Sequence, residues 1–206
     1  MIPWPICRLL GVGLMLACAS EEGAFSGCPV EGSAVAAEVR ALNHLKNRAA
    51  LPSARDVDRS VTLDAMVAPG DDRRRWSERR AASVVGYVRE VKVGGIETVN
   101  CRAETLDHRD THIELVTDPL DSEQLPVIVE VTPWWRAQMA GTGADWSTDA
   151  MRASLKGRLV RVTGWLLFDV EHAHQAANTA PGRPGNWRAT AWELHPVTSL
   201  EVEPPR

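Results

Sequence analysis

Apolar residues fall at three different periods along the chain, and each period predicts a different kind of element. Residues 9–17 form a continuous apolar run behind Arg8. That run is too short to span a bilayer as a helix and has the length of the hydrophobic part of an export signal. Between residues 34 and 48, Val35, Val39, Leu42 and Leu45 recur every three to four positions. This spacing predicts an amphipathic helix, which Pro52 ends, with His44 beside the stripe at the surface. Residues 62–67 predict a short second helix before the Pro69-Gly70 turn. From residue 84 onward the dominant period is two, the period of strands.

In residues 84–93 the alternating Val85, Tyr87, Val91 and Val93 predict a strand. Gly94-Gly95 reads as a hairpin turn leading to a second extended stretch at residues 96–101. Residues 112–117 (HIELVT) put Ile113 and Leu115 on one face and His112 and Glu114 on the other. Residues 127–132 (VIVEVT) are the next strand, stopped by Pro133. Ser147 as an N-cap, Asp149 in the first turn, Met151 and Leu155 at i, i+4, and Gly157 as terminator predict a helix. A long strand over residues 159–168 follows, with Gly164 marking a bulge or sharp coil. The last strand is expected at residues 187–195, with a short continuation at 199–202. A helix between the third and fourth strands is the order of an OB-fold-like small β-barrel. The fold class is therefore mainly β with minor α, a barrel preceded by a helical N-terminal extension. A different small open β-barrel or a β-sandwich is the structural alternative.

The expected boundaries are a signal peptide at residues 1–17, a linker at 18–33, the helical extension at 34–82 and the barrel domain at 83–204. Met15-Leu16-Ala17-Cys18 resembles a lipobox, which would make Cys18 the lipidation site; the alternative is ordinary cleavage near Ala19 or Ser20. Of four cysteines, Cys7 leaves with the signal. If Cys18 carries lipid, Cys28 and Cys101 are left as a candidate disulfide in an oxidising compartment, the alternative being a buried Cys101 thiol. Four scattered cysteines without C-x-x-C do not make a zinc ribbon.

Composition narrows the partners. The formal net charge is −4 over 206 residues, which argues against a nucleic-acid partner, since phosphate contacts need clustered Lys and Arg. The charge run at residues 71–80 (DDRRRWSERR) reads as a solvated, self-compensating segment, with Ser77-Glu78 starting a short helix through Ala82. There are eight Trp against one Tyr and two Phe, and each buried indole needs a partner for its N–H.

Several phrases resemble a family of uncharacterised exported bacterial proteins with an OB-fold-like β-barrel. They are LKNR (residues 45–48), VKVGGIETVNC (91–101), DTHIEL (110–115), VIVEVTP (127–133), RVTGWLLFDVEH (161–172) and NWRATAWELHPVT (186–198). The resemblance covers most of the chain after residue 40. It implies export and a barrel, and it carries no activity with it.

Five of the six His lie in the β-rich part, at positions 108, 112, 172, 174 and 195, next to Asp107, Asp110, Asp169, Glu171 and Glu193. Imidazole with carboxylate suits zinc or another divalent metal. Asp110 and His112 share a face of an extended chain, and Asp169 with His172 completes a candidate metal set at the exit of the fourth strand. The competing reading has these His capping strands or binding backbone. His174, Trp187, Arg188, Glu193 and His195 are candidate ligand-binding residues. Of these, His195 is expected near the far end of its strand and Arg188 facing solvent. Trp165, Trp187 and Trp192 with Arg188 suggest a stacking platform, against core packing as the alternative. No G-x-S-x-G, Walker loop or G-x-G-x-x-G occurs.

Three functions are compatible with this reading. The first is an exported, lipid-anchored binding module for a small ligand or an envelope protein, using the loop between the last two strands. The second is a metal-dependent hydrolase built on the Asp/His set, and the third is a structural envelope protein.

Overall fold

The computed structural model describes residue 25 and residues 27–204; the expected signal peptide and Cys18 lie outside the described residues. The five strands are β1 (Ala81–Val93), β2 (Thr111–Val116), β3 (Val127–Val131), β4 (Leu159–Phe168) and β5 (Trp192–Val202). They close into a barrel in the order β1-β2-β3-β5-β4. All neighbours are antiparallel except β3 with β5. This is an OB-like barrel, mainly β with minor α, as read from the sequence.

Alternation decides what faces inward. Val91, Ile113, Leu115, Val127, Val129, Val131, Trp192 and Leu194 pack into the core. Their neighbours Lys92, Asp110, His112, Glu114, Glu130, Glu193 and His195 therefore project from the opposite face of the same sheet. Most outward residues of a barrel meet water, but on this side of β2, β3 and β5 they are buried as well. Something covers that face, and the cover is built from the N-terminal extension and the β4–β5 insert.

Helix α1 (Ala37–Lys46) contributes to the cover through a polar side. The expected apolar stripe is not the buried one: Val35 is 95% exposed, Leu42 is buried, and Asn43, Lys46 and Asn47 are buried beside it. Asn43 donates to Glu31 O and Thr98 Oγ1, and Asn47 donates to Val30 O and Val99 O. Helix α2 (Leu63–Val67) is capped by Thr62, whose side chain accepts from Ala65 N–H. Cys28 and Cys101 are joined in a disulfide that ties the extension to the loop after β1.

Four expectations need correction. Residues 96–101 do not pair with β1; Thr98–Asn100 is a 3-10 turn held against α1. The charge run forms no helix at Ser77. Its Asp72 is fully buried, accepting hydrogen bonds from Thr190 Oγ1 at 2.6 Å and Ala191 N–H at 3.1 Å. Between β3 and β4 there are two helices, α3 (Pro133–Gly141) and α4 (Thr148–Leu155). The Thr132 cap followed by Pro133 at N1 announces α3, because Pro is preorganised for the first helical turn. Finally, β5 runs unbroken through His195-Pro196. Gly164 pairs with Val197 and Leu166 with Leu194, so two β5 residues oppose Trp165 in a bulge, a setting that tolerates proline.

The indoles explain much of the tryptophan count. Trp135 Nε1 donates to Arg48 O, Trp165 Nε1 to Ala50 O and Trp192 Nε1 to Asp72 O. Each fastens the extension onto the barrel.

Candidate functional site

The covered face carries a layered set of charged side chains. His112 on β2 stands directly across from Lys92 on β1 and from Glu130 on β3. Val129 is in register with Leu194 on parallel β5, which brings Glu193 and His195 alongside Glu130. Asp110, one step before β2, has the same outward parity as His112. Two short patterns, Asp110-x-His112 and Glu193-x-His195, thus converge on Glu130 from either side.

His195 is 0% exposed and central. Its Nδ1 lies 3.4 Å from Glu193 Oε2 and 3.7 Å from Glu130 Oε2, and its Nε2 lies 3.6 Å from Asp110 Oδ2. The expectation that it falls at a strand end is corrected, because β5 continues past it. His112 Nδ1 is 3.2 Å from Glu130 Oε1. Arg188 is 1% exposed rather than solvent-facing. Residues 187–191 precede β5 and follow no strand alternation, which lets the guanidinium turn inward. It reaches Glu193 Oε1 at 2.7 Å and Asp169 Oδ2 at 3.4 Å, and donates from Nε to Thr190 O at 2.8 Å. Lys46, 2% exposed on α1, meets Glu97 at 2.8 Å.

The candidate metal set is divided by the structure. His172 pairs with Asp169 at 2.6 Å, while Asp110 turns to His195 and His112 to Glu130. One donor atom each from Asp110, Glu130 and His195 lies within 4.8 Å of the others. Among the described residues this trio, and not the expected four, could hold a metal ion. Glu130 was missed in the sequence, although a lone Glu inside VIVEV is a warning of a buried, paired charge.

Burial and pairing set the protonation states. Burial drives the Asp110 carboxyl up to about 6, against the pull of His195. Burial also raises Glu193, with Arg188 offsetting it in part. Burial would raise Glu130 too, but the His112 hydrogen bond and the charges of His195, His112 and Lys46 hold it at about 2. Although burial disfavours its charge, Lys46 stands well above the ordinary lysine value because Glu97, Asp169, Glu193 and Glu130 surround it.

The Asp169 hydrogen bond raises His172 above the ordinary histidine value, against a smaller effect of burial. A raised histidine contributes stability that is complete below the unfolded value, about 6.5, and is lost as pH rises through the folded value. A nuclear magnetic resonance titration of the His172 ring is expected to give a midpoint above 6.5 in the native protein. In Asp169→Asn the midpoint falls toward that value, since burial is then opposed only by the charges of Glu193 and Glu97. An unchanged midpoint would show that Asp169 does not control it.

Over this layer lies a cleft of about 220 Å³, bordered by Lys92, Glu97, His112, His172, Trp187 and Arg188, with Glu130 and Glu193 also exposed to it. The Trp187 ring forms one wall. Its Nε1 donates to Gln175 Oε1 at 2.6 Å, the His112 ring is 5.6 Å away, and Lys92 and Arg188 lie 5.4 and 5.6 Å from its centroid. Of the candidate ligand-binding residues, Trp187, Arg188 and Glu193 line the cleft, and His195 lies under it. His174 is exposed on the insert and does not border it. Of the three tryptophans expected as a platform, only Trp187 serves the cleft, because Trp165 and Trp192 are committed to the extension. No family model matches the sequence, and no curated protein is detectably similar to it, so the geometry of this cleft is what a functional reading rests on.

Proposed function

We propose that the chain is an exported cell-envelope binding module, anchored by lipid at Cys18, whose cleft takes a small polar ligand with a planar ring. The observation that carries this reading is the Trp187 wall: a half-buried indole, fixed by Gln175, beside cationic and imidazole groups and above a buried polar floor. A planar ring stacks on such a face, and the floor supplies hydrogen bonds that fix orientation. The cleft is smaller than the roughly 300 Å³ at the low end of common ligand pockets, which favours a single-ring ligand. The signal-like apolar run at residues 9–17, the Cys28–Cys101 disulfide and the resemblance to exported proteins support the compartment.

Thermal-shift titration with nucleobases, nucleosides, aromatic amino acids and monosaccharides tests the binding. At least one ring-bearing probe is expected to raise the melting temperature, and Trp187→Ala to abolish that rise while keeping the fold. If no probe shifts the native protein, or the shift survives Trp187→Ala, the cleft reading fails and the structural envelope role gains.

A further inference from the structure

The buried layer beneath the cleft has a charge pattern that side-chain pairing does not exhaust. Lys46 is matched to Glu97 at 2.8 Å. Arg188 serves Glu193 at 2.7 Å and Asp169 at 3.4 Å, and Asp169 also has His172 at 2.6 Å. Asp110 and Glu130 remain, two buried carboxylates whose close charged neighbours are the imidazoles of His112 and His195. Lys46 acts on Glu130 and Arg136 on Asp110 from beyond contact distance, and burying two carboxylates with no permanent cation in direct contact is costly unless something cationic joins them.

Separately from this pattern, two donor atoms of the Asp110, Glu130 and His195 trio lack partners. His195 Nε2 and Asp110 Oδ1 are fully enclosed and make no hydrogen bond. Atoms of this kind in a native interior call for an explanation, and an ion is one. The orientation of His195 fits that explanation. Its Nδ1 faces Glu193 Oε2 at 3.4 Å, and Glu193 is held in turn by Arg188. A carboxylate on one ring nitrogen fixes the tautomer that presents the other nitrogen to a metal.

We propose that Asp110, Glu130 and His195 hold one divalent cation of the zinc class beneath the floor of the cleft. Two carboxylate oxygens and one imidazole nitrogen form a mixed donor set suited to zinc and its neighbours rather than to magnesium or calcium. With metal–donor bonds near 2.0–2.2 Å, tetrahedral donors stand about 3.4 Å apart. The 3.6 Å between His195 Nε2 and Asp110 Oδ2 is close to that already. Because Glu130 borders the cleft while Asp110 and His195 do not, the fourth coordination position would open on the cleft side.

The full-length exported chain, disulfide intact, is treated with chelator, incubated with zinc chloride and freed of excess by gel filtration. It is expected to retain about one zinc per chain. Asp110→Asn and His195→Gln are expected to lose it, whereas His44→Gln and His174→Gln keep it. Failure of the native protein to retain zinc, or unchanged retention in both Asp110→Asn and His195→Gln, overturns the site. Independently of how those two variants fold, imidazole nitrogen resonances of the native protein give a second readout. Zinc is expected to shift His195 Nε2. A response confined to His44, His108 or His174 would place zinc on the surface and refute the proposal. Cleft binding of an organic ring is scored without metal, so the two readings fail independently.

Discussion

Arg188→Met is expected to lower the free energy of unfolding by about 3–5 kcal/mol, the cost of stripping a buried charge of its partner. Methionine keeps much of the volume, so the change tests charge more than packing. Asp169 retains the ring of His172 at 2.6 Å, but Glu193 loses its closest cation, the guanidinium at 2.7 Å. Burial already raises Glu193, and without Arg188 the group rises further. A carboxyl raised in the folded state binds its proton more tightly there, so stability falls as pH climbs above the unfolded value of about 4.3. The penalty of Arg188→Met is therefore expected to be smallest in acid and to grow toward neutrality. Arg188→Met/Glu193→Gln should recover part of it, and Arg188→Lys should fall between, because an ammonium cannot fork to two carboxylates. Urea denaturation across pH reads all three. A loss under about 1 kcal/mol, or one independent of pH, would mean that Arg188 compensates neither carboxylate.

Much of this face could be read from alternation, and what escaped shares a physical cause. Asp110-x-His112 was legible as a same-face pair because β2 obeys a period of two. The barrel order and α4 were legible because they depend on local signals, namely turn residues, the Ser147 cap and apolar spacing. Lys46 was not legible. A lysine on an amphipathic helix reads as solvated, and its acceptor Glu97 is 51 residues away. Asn43 and Asn47 are in the same position, since their burial is made affordable by carbonyls of other segments. Arg188 and His195 were misplaced by assuming regular strand where the chain has none, or by ending a strand that continues. Local pattern identifies faces, whereas the neutralisation of a buried charge is decided by whatever the fold brings opposite it.

Cys28→Ser/Cys101→Ser is expected to cost about 4 kcal/mol, the chain-entropy value for releasing a closed loop of this length, the bond spanning 73 residues. The loss should not be uniform. In α1, Leu42 is the one buried apolar side chain, and burying one leucine contributes only about 1.5–3 kcal/mol. Ordering ten residues costs roughly 1–2 kcal/mol each, so the helix depends on its polar anchors. Those anchors converge on the segment that Cys101 terminates: Asn43 on Thr98, Lys46 on Glu97 and Asn47 on Val99. Without the cross-link, amides of residues 37–47 are expected to exchange faster while β4 and β5 stay protected. Lys46 then leaves the buried layer, and Glu130 and Glu193, two of the carboxylates that surround it in the native fold, lose its charge. The His172 midpoint should move little, because Asp169 and not Lys46 holds it. If reduction costs less than about 1 kcal/mol and α1 exchange is unchanged, the indole bonds of Trp135 and Trp165 to the extension are sufficient to seat it, and the disulfide is dispensable to the site.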